Sequence, residues 1–171
     1  MKAAKRYPFL ALQQQRLQLH FANHSSITDI PSERSFYRWI WQALKNEYRQ
    51  AEISLIFLDE AEARAYNRDY RGKDYATNIL SFALNEGEQL FGQHESSLQG
   101  DLVICPQVVL KEAVEQNKTP EQHFAHLALH GTLHLMGYDH IEDEEAEIME
   151  GLEIRLMNQL AYPNPYAQDG I

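Results

Sequence analysis

Cysteine is almost missing from this sequence. Cys105 is the only one in 171 residues, so no internal disulfide can form and a small disulfide-stapled fold is excluded. Cys105 closes the apolar run Leu102-Val103-Ile104-Cys105, where it reads as a small buried hydrophobe rather than a nucleophile, and a reducing cytoplasm is the expected location. Glycine (8) and proline (6) are also scarce, and with 44% hydrophobic and 23% charged residues this excludes a collagen-like, low-complexity or wholly disordered chain. Long apolar runs are missing too. Phe9-Leu10-Ala11-Leu12 is stopped by Gln13-Gln14-Gln15-Arg16, and Leu55-Ile56-Phe57-Leu58 suits a buried strand, so neither a signal-peptide core nor a membrane partner is expected.

Net positive charge is lacking as well. The formal charge of −10 argues against indiscriminate nucleic-acid binding, but the charge is unevenly placed. Glu142 to Glu153 holds seven acidic residues and no basic one, whereas Arg64, Arg68, Arg71 and Lys73 stand against Asp69 alone in the stretch from Arg64 to Lys73. An acidic total can therefore hide a local basic face.

The length fits one domain. Residues 1–15 show no clear period and are expected to be a flexible extension, residues 16–166 a single domain, and residues 167–171 a tail. Alternation from Arg16 to Phe21 predicts a half-buried strand, and Phe36, Ile40, Ala43 and Leu44 predict a helix from about Ser32. Glu52–Leu58 reads as a central strand and Asp59 as the N-cap of a helix to about Tyr70. Ile79–Leu84 reads as a strand, Asn85–Gly100 as a long polar loop, and Asp101–Cys105 as a short buried strand. Pro106 opens a helix to about Gln116; Thr119-Pro120-Glu121-Gln122 reads as a capping box opening another to Met136, which Gly137 stops. A last helix covers roughly Glu142 to Leu160. The expected class is α+β: one small mixed sheet of about four strands packed with about five helices, with a metal site on a helix and the turn after it.

Three of the eight histidines fall between His130 and His140. His130 and His134, four apart on a predicted helix, project from one face, and the reversal at Gly137 brings His140 back toward them. Neutral imidazoles suit Zn2+, one per chain, with a fourth position open to water. The competing reading is three ordinary helix histidines, which this spacing with its turn glycine makes the weaker one. His126, one turn earlier, fits a ligand, a supporting neighbour or a substrate contact; a ligand role would abandon His140, so a supporting role is preferred. Asp139 reads equally as an acceptor orienting a histidine ring or as a solvated turn residue. The spacing also matches the metzincin protease pattern, except that Gly131 stands where the catalytic glutamate belongs. Three neutral ligands leave the metal its full charge, which suits a phosphodiester and weakens the protease reading.

His130 to His140, together with Tyr66-Asn67-Arg68-Asp69-Tyr70-Arg71-Gly72-Lys73-Asp74, Thr77-Asn78-Ile79-Leu80-Ser81-Phe82 and Gly100-Asp101-Leu102-Val103-Ile104, resembles the YbeY family of bacterial endoribonucleases from about Arg16 to Tyr166. Ala76 stands where many members carry proline. The resemblance implies a zinc-dependent, single-strand-specific endoribonuclease acting in ribosomal RNA maturation, at the 3′ end of the small-subunit RNA, and in ribosome quality control. RNA and the small ribosomal subunit are thus the implied partners. It further implies that His130, His134 and His140 bind the metal and that Arg71 is the functional arginine.

Arg71 would hold a phosphate by charge-assisted hydrogen bonds, or else form a surface ion pair with Asp69 or Asp74. Lys73 extends the positive path, and Thr77, Asn78 and Ser81 are candidate substrate contacts that equally suit a turn and a strand edge. No general base is identified, and an RNA 2′-hydroxyl can serve as internal nucleophile. Two other functions fit the same residues: a non-catalytic ribosome-assembly factor with structural zinc, and a metal-dependent peptide or ester hydrolase.

Overall fold

The computed structural model describes residues 16–84 and 97–167. Four strands, β1 (Leu17–Asn23), β2 (Gln50–Phe57), β3 (Ile79–Ala83) and β4 (Ser97–Ile104), form one sheet in the order β1-β2-β4-β3. The pairs β1–β2 and β2–β4 are parallel, whereas β3 runs antiparallel to β4 and forms an edge. Five helices are described: α1 (Glu33–Leu44), α2 (Glu60–Arg71), α3 (Pro106–Glu115), α4 (Pro120–Leu135) and α5 (Asp143–Gln159). The α+β expectation of a small mixed sheet with surrounding helices describes this arrangement. Among the described residues no helix is long and apolar enough to cross a membrane.

Alternation in the central strands separates two apolar layers. Ala51, Ile53, Leu55 and Phe57 of β2, with Leu98, Leu102 and Ile104 of β4, join the main core with Phe36, Trp39 and Ile40 of α1 and Phe124, Leu127, Ala128 and Leu129 of α4. The opposite parity, Val103 with Leu80, meets Ala63 of α2 in a smaller cluster on the other face. Helix α4 is apolar nearly all round, which is why it lies in the middle of the molecule. Its start is a complete capping box: Thr119 Oγ1 accepts from the Gln122 backbone N–H (3.1 Å) and the Gln122 side chain accepts from the Thr119 N–H (3.2 Å).

Two local expectations change. Ser97–Gly100, predicted as the end of a loop, are the first half of β4, because Leu98 and Gly100 face inward and pair with Ala51 and Ile53 of β2. Gln99 and Gly100 hide this alternation in the sequence, and the glycine is required by packing: a Cβ there would lie 2.7 Å from Leu135 Cδ2 and 3.0 Å from the Phe82 carbonyl oxygen. The rest of that predicted loop, residues 85–96, lies outside the described residues, as do the predicted extension at 1–15 and most of the tail. Asp59 occupies the N-cap position of α2 without capping it. Its carboxylate accepts instead from the backbone N–H (2.9 Å) and hydroxyl (3.0 Å) of Ser26 and from Gln107, joining three segments.

Gly131 marks the closest approach of α4 to the sheet. A Cβ there would meet Ile79 Cδ1 at 2.6 Å, Leu102 Cδ2 at 3.0 Å and Ser81 Oγ at 3.2 Å. The methyl ends of Ile79 and Leu102 can turn aside for one carbon but not for a carboxylate, so this position has no room for a metzincin-type glutamate. Gly131→Glu is expected to lower stability by roughly 3 kcal/mol or more, through overpacking and an unpaired buried charge, whereas Gly131→Ala should change it by no more than about 1 kcal/mol. Chemical denaturation of the two variants checks this.

Candidate metal centre

The C-terminal end of α4 builds the site. Met136 caps the helix and Gly137 follows with φ 101°, a left-handed conformation that a side chain would strain. The Gly137 N–H bonds the His134 carbonyl (3.0 Å) and the Tyr138 N–H bonds the Leu133 carbonyl (3.0 Å), the paired bonds of a Schellman motif. This reversal returns the chain so that the His140 ring centre lies 5.1 Å from that of His134 and 5.8 Å from that of His130. One nitrogen from each of His130, His134 and His140 falls within 4.8 Å of the other two.

Hydrogen bonds on the far side of two rings fix what they present to the site. His130 Nδ1 donates to Glu153 Oε1 at 2.6 Å, and His134 Nδ1 donates to the Tyr138 carbonyl at 3.0 Å. Both acceptors lack a proton, so each neutral ring carries its hydrogen on Nδ1 and a lone pair on Nε2. The two Nε2 atoms face each other 3.1 Å apart. Two lone pairs at that distance repel unless a cation lies between them, and the spacing is close to the edge of about 3.3 Å in a tetrahedron with Zn–N bonds of ~2.0–2.1 Å. Burial, followed by the neighbouring His130 and His140, pushes the His134 pKa down, which favours the neutral form a metal needs. The donor set therefore fits a metal ion.

Glu153, on α5, is a residue that sequence reading left inside an acidic run. It is fully buried. Besides His130, its Oε1 lies 3.2 Å from His126 Nε2, off the hydrogen-bond direction, and its Oε2 accepts from the Tyr166 hydroxyl. Burial pushes the carboxyl up, but its interactions with His130 and His126 outweigh this and hold it down at about 2. Burial and Glu153 together push Tyr166 up, keeping its phenol a donor. A signal existed in the sequence: Met149, Leu156 and Met157 mark the buried stripe of α5, and Glu153 lies on it. His126 is thus placed beside the carboxylate behind the rings. Asp139 is not the residue that receives a ring proton; its Oδ1 accepts the His140 backbone N–H (2.8 Å).

Opposite the rings, a cleft of about 530 Å3 is lined by Arg71, Lys73, Thr77, Asn78, Ser81, His130, His134 and His140, among others. Arg71 ends α2, where Gly72 (φ 72°) closes the helix. Its guanidinium donates to the Ser81 carbonyl at 2.6 Å and stands 5.2 Å from the Phe82 ring centre. The ion pairs that the sequence offered it are taken: Asp74 holds Arg64 through two bonds of 2.7 and 2.9 Å, and Asp69 holds Arg68 at 3.1 Å. Asn67, buried on α2, donates to the Tyr75 carbonyl (2.8 Å) and so fixes the loop carrying Lys73.

Two of the candidate substrate contacts have structural bonds. Asn78 Nδ2 donates to Glu112 (3.0 Å), which also meets His123 (2.9 Å), while Asn78 Oδ1 accepts the Ile79 N–H (2.6 Å). Ser81 Oγ donates to the Gly131 carbonyl at 3.1 Å, tying the edge strand to α4.

If Glu153 sets the charge and orientation of His130, Glu153→Gln should weaken metal binding roughly 10- to 100-fold while the protein stays folded. Competition against a chelator, starting from metal-stripped protein, measures it.

Comparison with known proteins agrees along the whole chain. The family model described as Endoribonuclease YbeY matches residues 15–161. A Neisseria meningitidis serogroup B protein named Endoribonuclease YbeY is 73% identical over 169 residues, covering 99% of this chain and all of that one. Its namesake from Chromobacterium violaceum is 51% identical over 171 residues, the full length of both. A solution structure of a Thermotoga maritima protein shares the fold at TM-score 0.56 and 23% identity, covering 90% of this chain and 99% of that one. The chain belongs to the endoribonuclease YbeY family.

Proposed function

We propose that this chain is a zinc-dependent endoribonuclease that cuts single-stranded RNA, with His130, His134 and His140 as the metal ligands and Arg71 as the phosphate-binding catalytic residue. Its substrate is ribosomal RNA, at the 3′ end of the small-subunit RNA, and it serves maturation and quality control of the ribosome. The observation that carries the reading is the position of Arg71: released from Asp69 and Asp74, it faces the same cleft as the three imidazoles.

When bound, a zinc ion supplies Lewis acidity toward a phosphoryl oxygen and acidifies a water ligand. The chain's own groups do the rest. The Ser81 carbonyl engages one N–H of Arg71 and leaves the remaining donors of the guanidinium for phosphate oxygens, whose charge grows as the phosphodiester reacts. Lys73 and Thr77 line the same cleft and contact the backbone of the bound strand. Asn78 and Ser81 hold the cleft wall in shape through Glu112 and the Gly131 carbonyl. The Tyr138 carbonyl and Glu153 keep the His134 and His130 rings turned toward the metal position. The RNA 2′-hydroxyl adjoining the scissile phosphate attacks the phosphorus as the P–O5′ bond breaks, giving a 2′,3′-cyclic phosphate and a 5′-hydroxyl that takes up the proton, consistent with a site that offers no metzincin-type glutamate. A structural zinc would call for a fourth protein ligand, whereas among the described residues the donor group has three members and Asp139 is turned to a backbone N–H.

His134→Ala is expected to lose bound zinc and RNA cleavage together. Arg71→Ala should keep its zinc but cleave about 100- to 1,000-fold more slowly, the scale of losing one preorganised charge-stabilising donor. Metal analysis beside cleavage of single-stranded RNA and of small-subunit RNA with an unprocessed 3′ end reads both. Metal-loaded protein that leaves all of these RNAs uncut would overturn the proposal.

A further inference from the structure

Three tyrosines of α2 and the loop after it stand in solvent: Tyr66 is 39% exposed, Tyr70 67% and Tyr75 53%. Exposed rings that cluster rather than scatter are the kind that mark an interaction surface. Tyr66 and Tyr70 lie four apart on α2, with ring centres 5.6 Å apart and planes only 30° from parallel. Tyr70 meets Phe82 of the edge strand at 5.5 Å, and Phe82 carries the Arg71 guanidinium at 5.2 Å. Rings in contact therefore lead from Tyr66 on α2, through an edge-on contact of Tyr70 with Phe82, to the Arg71 guanidinium. Tyr75 borders the same cleft.

We propose that Tyr66 and Tyr70 form a stacking platform for unpaired bases of the RNA strand whose phosphate is held by Arg71. The inference rests on the ribonuclease reading above and adds to it the residues that select single strands. A base can lie on a tyrosine only when its face is free, and a duplex keeps that face inside its stack. Charge points the same way. Arg64 and Arg68 are paired with Asp74 and Asp69, so this stretch of α2 offers little net charge to a phosphate backbone, and its rings are the available means of attraction.

The test uses the zinc-loaded full chain and a fluorescent 2′-O-methyl oligoadenylate, which binds without offering a nucleophile, beside an abasic strand of equal length. Tyr70→Ala should weaken binding of the oligoadenylate about tenfold or more, and Tyr66→Ala several-fold. Tyr70→Trp should preserve or tighten it. Binding of the abasic strand, zinc content and the slope of affinity against salt concentration should not move, because no phosphate contact is lost. Tyr70 is exposed, so unchanged thermal unfolding is expected of the variants, and Tyr70→Trp supplies an independent reading if the alanine variant misfolds. Equal affinity of Tyr70→Ala and the unsubstituted protein for oligoadenylate overturns the platform and would fit a protein partner on these rings. An equal loss on the abasic strand overturns it as well. If the unsubstituted protein cuts RNA in either case, only the platform falls; if it neither binds nor cuts single strands, the ribonuclease reading falls with it.

Discussion

A buried negative charge organises this end of the molecule. Glu153 is fully enclosed, and among the described residues its polar contacts are two imidazoles and a phenol. An isolated carboxylate in such a place costs several kcal/mol unless positive charge answers it. The hydrogen on His130 Nδ1 answers part of this, and a cation on the opposite nitrogen of the same ring would answer the rest. The carboxylate and the metal position are thus coupled through one imidazole. The same carboxylate joins α5 to α4 and draws Tyr166, near the end of the described chain, against both.

The second constraint is contact between α4 and the sheet. Gly131 brings the helix down on Ile79 and Leu102, and its carbonyl receives the Ser81 hydroxyl. Side chains on the outer face of the helix, one residue before and three after, then stand level with the edge strand β3. Among the described residues that strand has no strand partner on its outer side, an edge that proteins usually have to protect. Here the Ser81 carbonyl on that side receives Arg71, so an exposed edge becomes the support of the cleft's arginine. The imidazoles reach the cleft from one layer of the fold and the guanidinium from the other, and the sheet edge is where the two layers can meet.

Much of this is legible in the sequence because local chemistry decides it. The capping box at Thr119, the left-handed stop at Gly137, the four-residue spacing of His130 and His134 and the alternation of β2 each follow from a few neighbouring residues. What escapes reading depends on distant partners. The polar-looking Ser97–Gly100 becomes a strand because β2 and β3 supply its hydrogen bonds, and because Leu135 fills the space that a side chain at Gly100 would need. Asp59 has the type and position of an N-cap but is claimed by Ser26 and Gln107. The excess of positive charge between Arg64 and Lys73 looks like an open basic face until Asp74, just past its end, closes on Arg64. Glu153 is hidden by composition: six further acids crowd the same stretch, and only the apolar neighbours at its helical spacing separate it from them.

These placements also resolve a difficulty in the charge balance. A chain at −10 is a poor partner for a polyanion. Much of the negative charge lies on α5, which begins three residues after His140 with Asp143, Glu144 and Glu145 in its first turn. There it stabilises the helix N-terminus and favours a cation at the neighbouring rings, while it disfavours phosphate. The α2 side is different: from Glu60 to Asp74 four acidic residues balance four basic ones, and Arg71 and Lys73 are the cations among them that line the cleft. A nucleic acid strand is therefore repelled on one side of the metal position and tolerated on the other. Electrostatics alone gives it a direction of approach, over the end of α2 and across the β3 edge.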